Sequence, residues 1–176
     1  MQVLALDTAT PYLVLGLGQA ERAIRLERRH GERLAAELKR FLADASRRIE
    51  EIEAIAVGQG PGSYTGLRVG VAFALGLGRG LGVPVVGVDT LSAVAARAQG
   101  LVAAGLTARN GAVYAGLYRV EGGVSALEGP MKTDLQGFFA LPGCHLLDAP
   151  PSGRALAMLG EKALNEGVRG VQPRYL

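Results

Sequence analysis

The 176-residue sequence predicts an α/β fold, a mixed sheet flanked by helices, and three observations carry that prediction. Residues 2–7, 12–18 and 23–27 are short apolar or alternating stretches separated by polar or glycine turns, the pattern of an antiparallel meander. From residue 31 onward the apolar period lengthens to that of helices, and helices then alternate with short apolar runs, as in βαβ units. Between them, residues 58–70 form a glycine-rich turn that joins an apolar strand directly to a helix.

Taken in order, residues 2–7 make a buried strand ending in Asp7-Thr8-Ala9-Thr10-Pro11. After the second and third strands, a helix over residues 31–48 places Leu34, Leu38, Phe41, Leu42, Ala45 and Ile49 on one face. Residues 52–57 read as a strand, residues 69–81 as an apolar helix and residues 84–88 as another strand. Thr90 or Ser92 caps a further helix reaching residue 99. Three strands followed by a βαβα run fit the ribonuclease-H-like, actin-like (ASKHA) architecture. In the second part, residues 101–109 and 112–120 form strands joined through Asn110-Gly111, a hairpin signal. A short segment at 134–140, a strand at 145–148 and a helix capped by Ser152 complete the chain. The expected organisation is an amino-terminal lobe over 1–99 and a smaller, reduced lobe over 100–176 that includes the last helix and the tail.

Composition sets bounds on function. Hydrophobic residues make up 49% and charged residues 20% of the chain, which suits a compact domain rather than a disordered one. The net charge of +3 comes from 16 Arg and 3 Lys against 16 acids, a mild balance that permits an acidic partner without requiring one. A lone cysteine, Cys144, rules out an internal disulfide. The absence of a charged, apolar leader points to the cytoplasm. Residues 69–88 are long enough to span a bilayer but carry Arg79, Pro84 and repeated glycines, so burial in a core is expected instead.

From Ala54 to Val88 the chain has no acid, and its only charges are Arg68 and Arg79. Such a segment is either buried or covered by a partner. Its helix bears a small-residue row, Gly66, Gly70, Ala74, Gly78 and Gly82, at spacing four. That row suits close packing on the chain's own sheet or on another subunit. The candidate partner or dimer surface comprises Leu34, Leu38, Gly66, Val69, Gly70, Phe73, Ala74, Leu77 and Gly78, and a bulky residue at Gly70 is expected to weaken dimerisation.

The turn itself has neither the lysine of a P-loop nor the third glycine of a dinucleotide fingerprint, since Ser63 stands in that place. Backbone N–H groups at a helix start still suit an anion. Asp7, Thr8, Thr10, Gly60, Gly62, Ser63 and Thr65 are the candidate phosphate-facing residues, with Ser63 or Thr65 capping the helix. Asp7 alone does not make a two-metal nuclease centre, which needs several converging carboxylates; its plainer role is to hold the Thr8/Thr10 turn. No metal site is expected. Arg29, Arg33, Arg40 and Arg47 form a basic stripe on the first helix, flanked by Glu32, Glu37 and Asp44. A solvated ion-paired face and an acidic-partner surface both fit it, and Glu37 is expected at the side of the helix, away from the core stripe.

Leu4-Ala5-Leu6-Asp7-Thr8-Ala9-Thr10, the turn at 58–70, Val86-Gly87-Val88-Asp89-Thr90-Leu91-Ser92, and Ala108-Arg109 with Val113-Tyr114 together resemble the TsaB (YeaZ) family. Pro173-Arg174-Tyr175-Leu176 is similar to that family's carboxyl-terminal signature. The resemblance implies the two-lobed actin-like fold and a role in making N6-threonylcarbamoyladenosine beside the tRNA anticodon. It implies a non-catalytic scaffold that pairs with the TsaD transferase, recruits the TsaE ATPase and forms a homodimer when alone, through the same helical surface. Contact with tRNA is then indirect, and ATP enters with the partners rather than with the isolated chain. Residues 91–98 lack the H-x-x-x-H metal motif expected of the catalytic paralogue. The family pattern D-A-R-x-G-E-V-Y appears here as Thr107-Ala108-Arg109-Asn110-Gly111-Ala112-Val113-Tyr114, without either acid. The rival expectation is an ATP-binding phosphotransferase or ATPase that uses Asp7 and the glycine turn.

Overall fold

The computed structural model describes residues 1–27 and 29–176. The first strands are β1 (Val3–Asp7), β2 (Tyr12–Leu17) and β3 (Ala20–Arg25); helix α1 (His30–Asp44), strand β4 (Ala54–Gly58), helix α2 (Tyr64–Leu81) and strand β5 (Val85–Val88) follow. They build a five-stranded sheet in the order β3-β2-β1-β4-β5. The β1–β2 and β2–β3 pairs are antiparallel, whereas β1–β4 and β4–β5 are parallel. This mixed sheet is the ribonuclease-H-like, actin-like arrangement. Both central strands, β1 and β4, are buried at every position, which is why they read as unbroken apolar runs.

Helices cover both faces of this sheet. Leu34, Leu38 and Phe41 of α1 and Ala74 of α2 join Leu4, Leu6, Leu13, Leu15, Ile55 and Val57 on one side. Helix α5 (Gly153–Asn165), capped by the Ser152 hydroxyl, covers the other side through Leu156 and Ala157, which meet Val3, Ala5, Val14, Ala54 and Ala56. The sequence groups this helix with the second lobe; its contacts are with the first sheet. Gly16 and Gly153 let the two backbones meet, because a Cβ on either would collide with the other segment.

Helix α3 (Thr90–Ala95) leads into β6 (Gly100–Thr107), β7 (Ala112–Val120), β8 (Val124–Asp134), the short helix α4 (Leu135–Ala140) and β9 (Cys144–Leu147). The second sheet runs β8-β7-β6-β9, with β9 parallel to β6. Asn110 (φ 59°) and Gly111 (φ 73°) make the turn between β6 and β7, as the hairpin signal predicts. Strand β8 lies outside every sequence expectation. Most of its residues are exposed, so no buried apolar face marks it.

Three boundaries move for local reasons. Helix α2 starts at Tyr64 rather than residue 69 because the Ser63 hydroxyl accepts the N–H of Gly66. Helix α1 stops at Asp44, and Ser46 follows with φ 53°. Helix α3 is capped by Asp89, not by Thr90 or Ser92, since the Asp89 carboxylate accepts the Ser92 N–H. Among the described residues no helix is long and apolar enough to cross a membrane.

Candidate functional site

Two surface features bring sequence-predicted residues together. The first is a groove between α1 and α2 of about 480 Å³. Its apolar lining is Leu38, Leu42, Ile49, Phe73 and Leu77, with Lys39 and Arg47 at its rim. The helical period decides which face of α2 contributes. Positions 66, 70, 74 and 78 turn inward to the sheet, while 69, 73 and 77 turn towards α1 and remain half-buried.

That orientation corrects the predicted partner surface. A Cβ at Gly66 would collide with the Thr8 carbonyl, one at Gly70 with the Thr8 hydroxyl, and one at Gly78 with Val85. Ala74 and Leu34 are buried at 0% and 1% exposure. Gly66, Gly70, Ala74, Gly78 and Leu34 therefore belong to the chain's own core, while Gly82 is exposed as the C-cap of α2. Val69, Phe73 and Leu77, with the edge of Leu38, are what remains accessible to a partner.

The second feature is the cleft between the lobes, of about 1210 Å³. The amino termini of α1 (His30, Gly31) and α2 (Ser63, Thr65, Gly66) open onto it from the first lobe. Arg109, Tyr114 and Lys132 line the opposite wall. Among the described residues no side chain caps α1, and N–H groups at a helix start favour an anion. His30 is buried, and its Nε2 has no hydrogen-bond partner among the described residues.

Of the predicted phosphate-facing residues, Thr10, Gly62, Ser63 and Thr65 line this cleft. Asp7, Thr8 and Gly60 do not, because each is engaged inside the fold. The Thr8 hydroxyl donates to the Gly66 carbonyl at 2.7 Å. Asp7 accepts the Ala9 N–H through Oδ1 and the Thr90 hydroxyl through Oδ2, both at 2.7 Å. The same Thr90 oxygen accepts the Gly60 N–H at 3.2 Å, and Gly60 O accepts the Thr90 N–H at 3.0 Å. Burial, opposed by the hydrogen bonds from Thr90 and Ala9 and helped by the nearby Asp89 charge, pushes the Asp7 carboxyl up to about 6.

Asp89 ties the lobes together. Its Oδ2 accepts from the Ser92 N–H and hydroxyl and from the hydroxyl of Tyr118, on β7, at 2.7 Å. Burial, reinforced by the Asp89 charge, pushes the Tyr118 phenol up. Nothing in the sequence pairs these two residues; the only signal is a polar Asp89-Thr90 step at the end of a strand.

The basic stripe is largely compensated. Glu37, expected to the side of α1, is buried at 4% exposure and accepts from Arg33 and Arg40. The Arg33 hydrogen bond, against the opposing effect of burial, holds its carboxyl below the usual range. Arg47 pairs with Glu51, and Arg29 is exposed at the position before α1. The stripe is thus mostly an ion-paired face.

The family model described as "TsaD: tRNA N6-adenosine threonylcarbamoyltransferase" matches residues 24–143. The tRNA threonylcarbamoyladenosine biosynthesis protein TsaB of Bacillus subtilis is 33% identical over 132 residues, covering 70% of this chain and 58% of its own length. The protein of the same name from Escherichia coli is 37% identical over 134 residues, with the same coverage of 70% and 58%. The solved structure of YeaZ from Pseudomonas aeruginosa superposes with a TM-score of 0.88 at 26% identity over 99% of both chains. The chain belongs to the TsaB/YeaZ family. It spans less than two thirds of the length of these curated TsaB relatives.

In this TsaB-family chain Leu91, Ala93, Val94 and Ala95 of α3 are fully buried. Among the described residues, no three His, Cys, Asp or Glu side chains come together as a metal-holding group. Through their hydrogen bonds Asp7 and Thr90 hold the glycine turn, and Asp89 and Tyr118 hold the lobe junction. The groove and the cleft are where the sequence-predicted residues come together on the surface.

Proposed function

We propose that the chain is a non-catalytic subunit of tRNA N6-threonylcarbamoyladenosine synthesis, working in the cytoplasm and docking a TsaD-type transferase through the α1–α2 groove. The observation that carries this reading is the groove itself: half-buried Phe73 and Leu77 of the acid-free α2 stand beside Leu38 and Leu42 of α1. An apolar groove with charged residues beside it is one form that a protein contact takes. The names of the curated relatives supply the pathway. On this reading a second copy covers the groove when the transferase is absent, a TsaE-type ATPase joins the pair, and tRNA is reached through the partner. ATP enters with those partners.

The phosphotransferase reading has less support, because Asp7 is sealed under Ala9 and Thr90 and turned away from the cleft. The test is a turnover assay with limiting TsaD-type transferase, with and without the purified chain, and with Phe73→Glu in its place. The chain should be inactive alone and should stimulate the transferase; Phe73→Glu should lose that stimulation while remaining folded. Equal transferase turnover with and without the chain would sink the proposal.

A further inference from the structure

We infer that residues 170–176 form a releasable latch that ties the two lobes together across the cleft and onto the start of α2. The segment begins at the free edge of the first sheet. The Gly87 N–H donates to the Gly170 carbonyl at 3.0 Å, and the Gly170 N–H donates to Val85 O at 3.2 Å. It then crosses the glycine turn, where Gln59 receives it twice. The side-chain oxygen of Gln59 accepts the Gln172 N–H at 3.0 Å, and its backbone oxygen accepts the Arg174 N–H at 2.7 Å.

The last two contacts reach both lobes. The Tyr175 ring lies 5.0 Å from that of Tyr64, the first residue of α2. Tyr114, on β7 of the other lobe, donates its hydroxyl to the Leu176 backbone oxygen at 3.1 Å. Tyr64, Tyr114, Tyr175 and Leu176 all line the interlobe cleft, so the segment stands at its mouth. Yet Gln172, Arg174, Tyr175 and Leu176 are exposed. A segment held by a few solvent-facing bonds opens locally at far lower cost than the sheet it rests on. Release would remove the Tyr114 tie between the lobes and the Tyr175 ring from beside Tyr64 in the same step. The cleft and the start of α2 thus share one fastening. This inference rests on tail geometry alone and is independent of the proposed partner.

Two readouts test it in the full chain. Spin labels at Leu75→Cys on α2 and Glu128→Cys on β8, in a Cys144→Ser background, report the separation of the lobes. Amide exchange at Gln172 and Arg174 reports the latch. Tyr114→Phe removes the hydroxyl from the far lobe, and Tyr175→Ala removes the ring from the near one. Each should speed exchange at Gln172 and Arg174 by about five-fold, the range of one hydrogen bond, and should broaden the interlobe distances. An unchanged distance distribution in both variants would overturn the inference, even with faster exchange, since the segment would then fray without holding anything. Broadened distances with unchanged exchange would overturn it too, because the lobes would be loosening by another route.

Discussion

Thr90 donates its hydroxyl to the buried carboxyl of Asp7 at 2.7 Å while its oxygen accepts the Gly60 N–H. One side chain thereby joins the end of β1, the glycine turn and the start of α3. The group at the centre of this junction sits at 0% exposure with its ionisation pushed up to about 6 from 3.8. Between those values the folded chain holds more protons at Asp7 than the unfolded chain does. Its stabilising contribution is complete below about pH 4 and is lost as pH rises through 6, a change of about 3 kcal/mol. The Asp7→Asn variant lacks that titration. Its stability relative to the parent should rise by up to about 3 kcal/mol between acidic and neutral pH, as measured by urea unfolding across the range. A constant difference would contradict the assignment.

The glycines of α2 divide into two sets with opposite expected responses. At Gly70 a methyl group would meet the Thr8 hydroxyl, whereas at Gly76 and Gly80 nothing lies within 4 Å. Gly70→Ala should destabilise by about 1–3 kcal/mol, as overpacking does. Gly76→Ala should stabilise by about 0.5–1 kcal/mol, because alanine loses less backbone entropy in a helix. Denaturant midpoints of the two variants make the comparison. Changes at Gly70 therefore report on folding, so an effect on association there is not a test of the partner surface.

Glu37 is the buried acceptor for two arginines of its own helix. Its lowered ionisation adds stability that is present above the ordinary carboxylate range and is lost as pH falls through the folded value. Glu37→Gln should cost about 1 kcal/mol at neutral pH, because both arginine partners remain partly in water. The cost should shrink towards zero in acid. Thermal unfolding at several pH values gives both numbers, and a pH-independent cost would point to packing alone.

The Tyr118–Asp89 bond predicts a lobe-junction phenotype. Asp89 Oδ1 is buried and without a partner among the described residues, so the carboxylate relies on its Oδ2 bonds. Removing the phenol with Tyr118→Phe should destabilise by about 1.5–3 kcal/mol, the worth of a hydrogen bond to a charged group. The loss should appear in calorimetry as a lower melting temperature. An unaltered melting temperature would show that the bond contributes nothing net.

Much of the first sheet was legible because its central strands are buried on both faces, and continuous apolar runs leave few other readings. The cap of α2 was legible only as a choice between Ser63 and Thr65, which the bond from the Gly66 N–H to the Ser63 hydroxyl decides. Glu37 was misplaced because periodicity records which side of a helix is apolar, whereas burial also depends on arginines that fold over a carboxylate. Strand β8 was invisible because its partner on β7 supplies the backbone bonds while its side chains face water. The small-residue row had two equal readings, and only the positions of Thr8 and Val85 decide between them. Asp89 and Tyr118 lie 29 positions apart, a pairing that a single sequence does not encode in any local pattern.

Helix α5 has a consequence for how the chain comes off the ribosome. The face of the first sheet made by Val3, Ala5, Ala54, Ala56 and Val86 is complete once β5 has emerged, but its cover is Leu156, Ala157 and Leu164. Everything from α3 to β9 must be synthesised in between. For that interval the nascent chain carries an open apolar slab, the condition under which aggregation competes with folding. The strands of the second sheet stand in the chain between the first sheet and its cover, so α5 is the event that closes the apolar face.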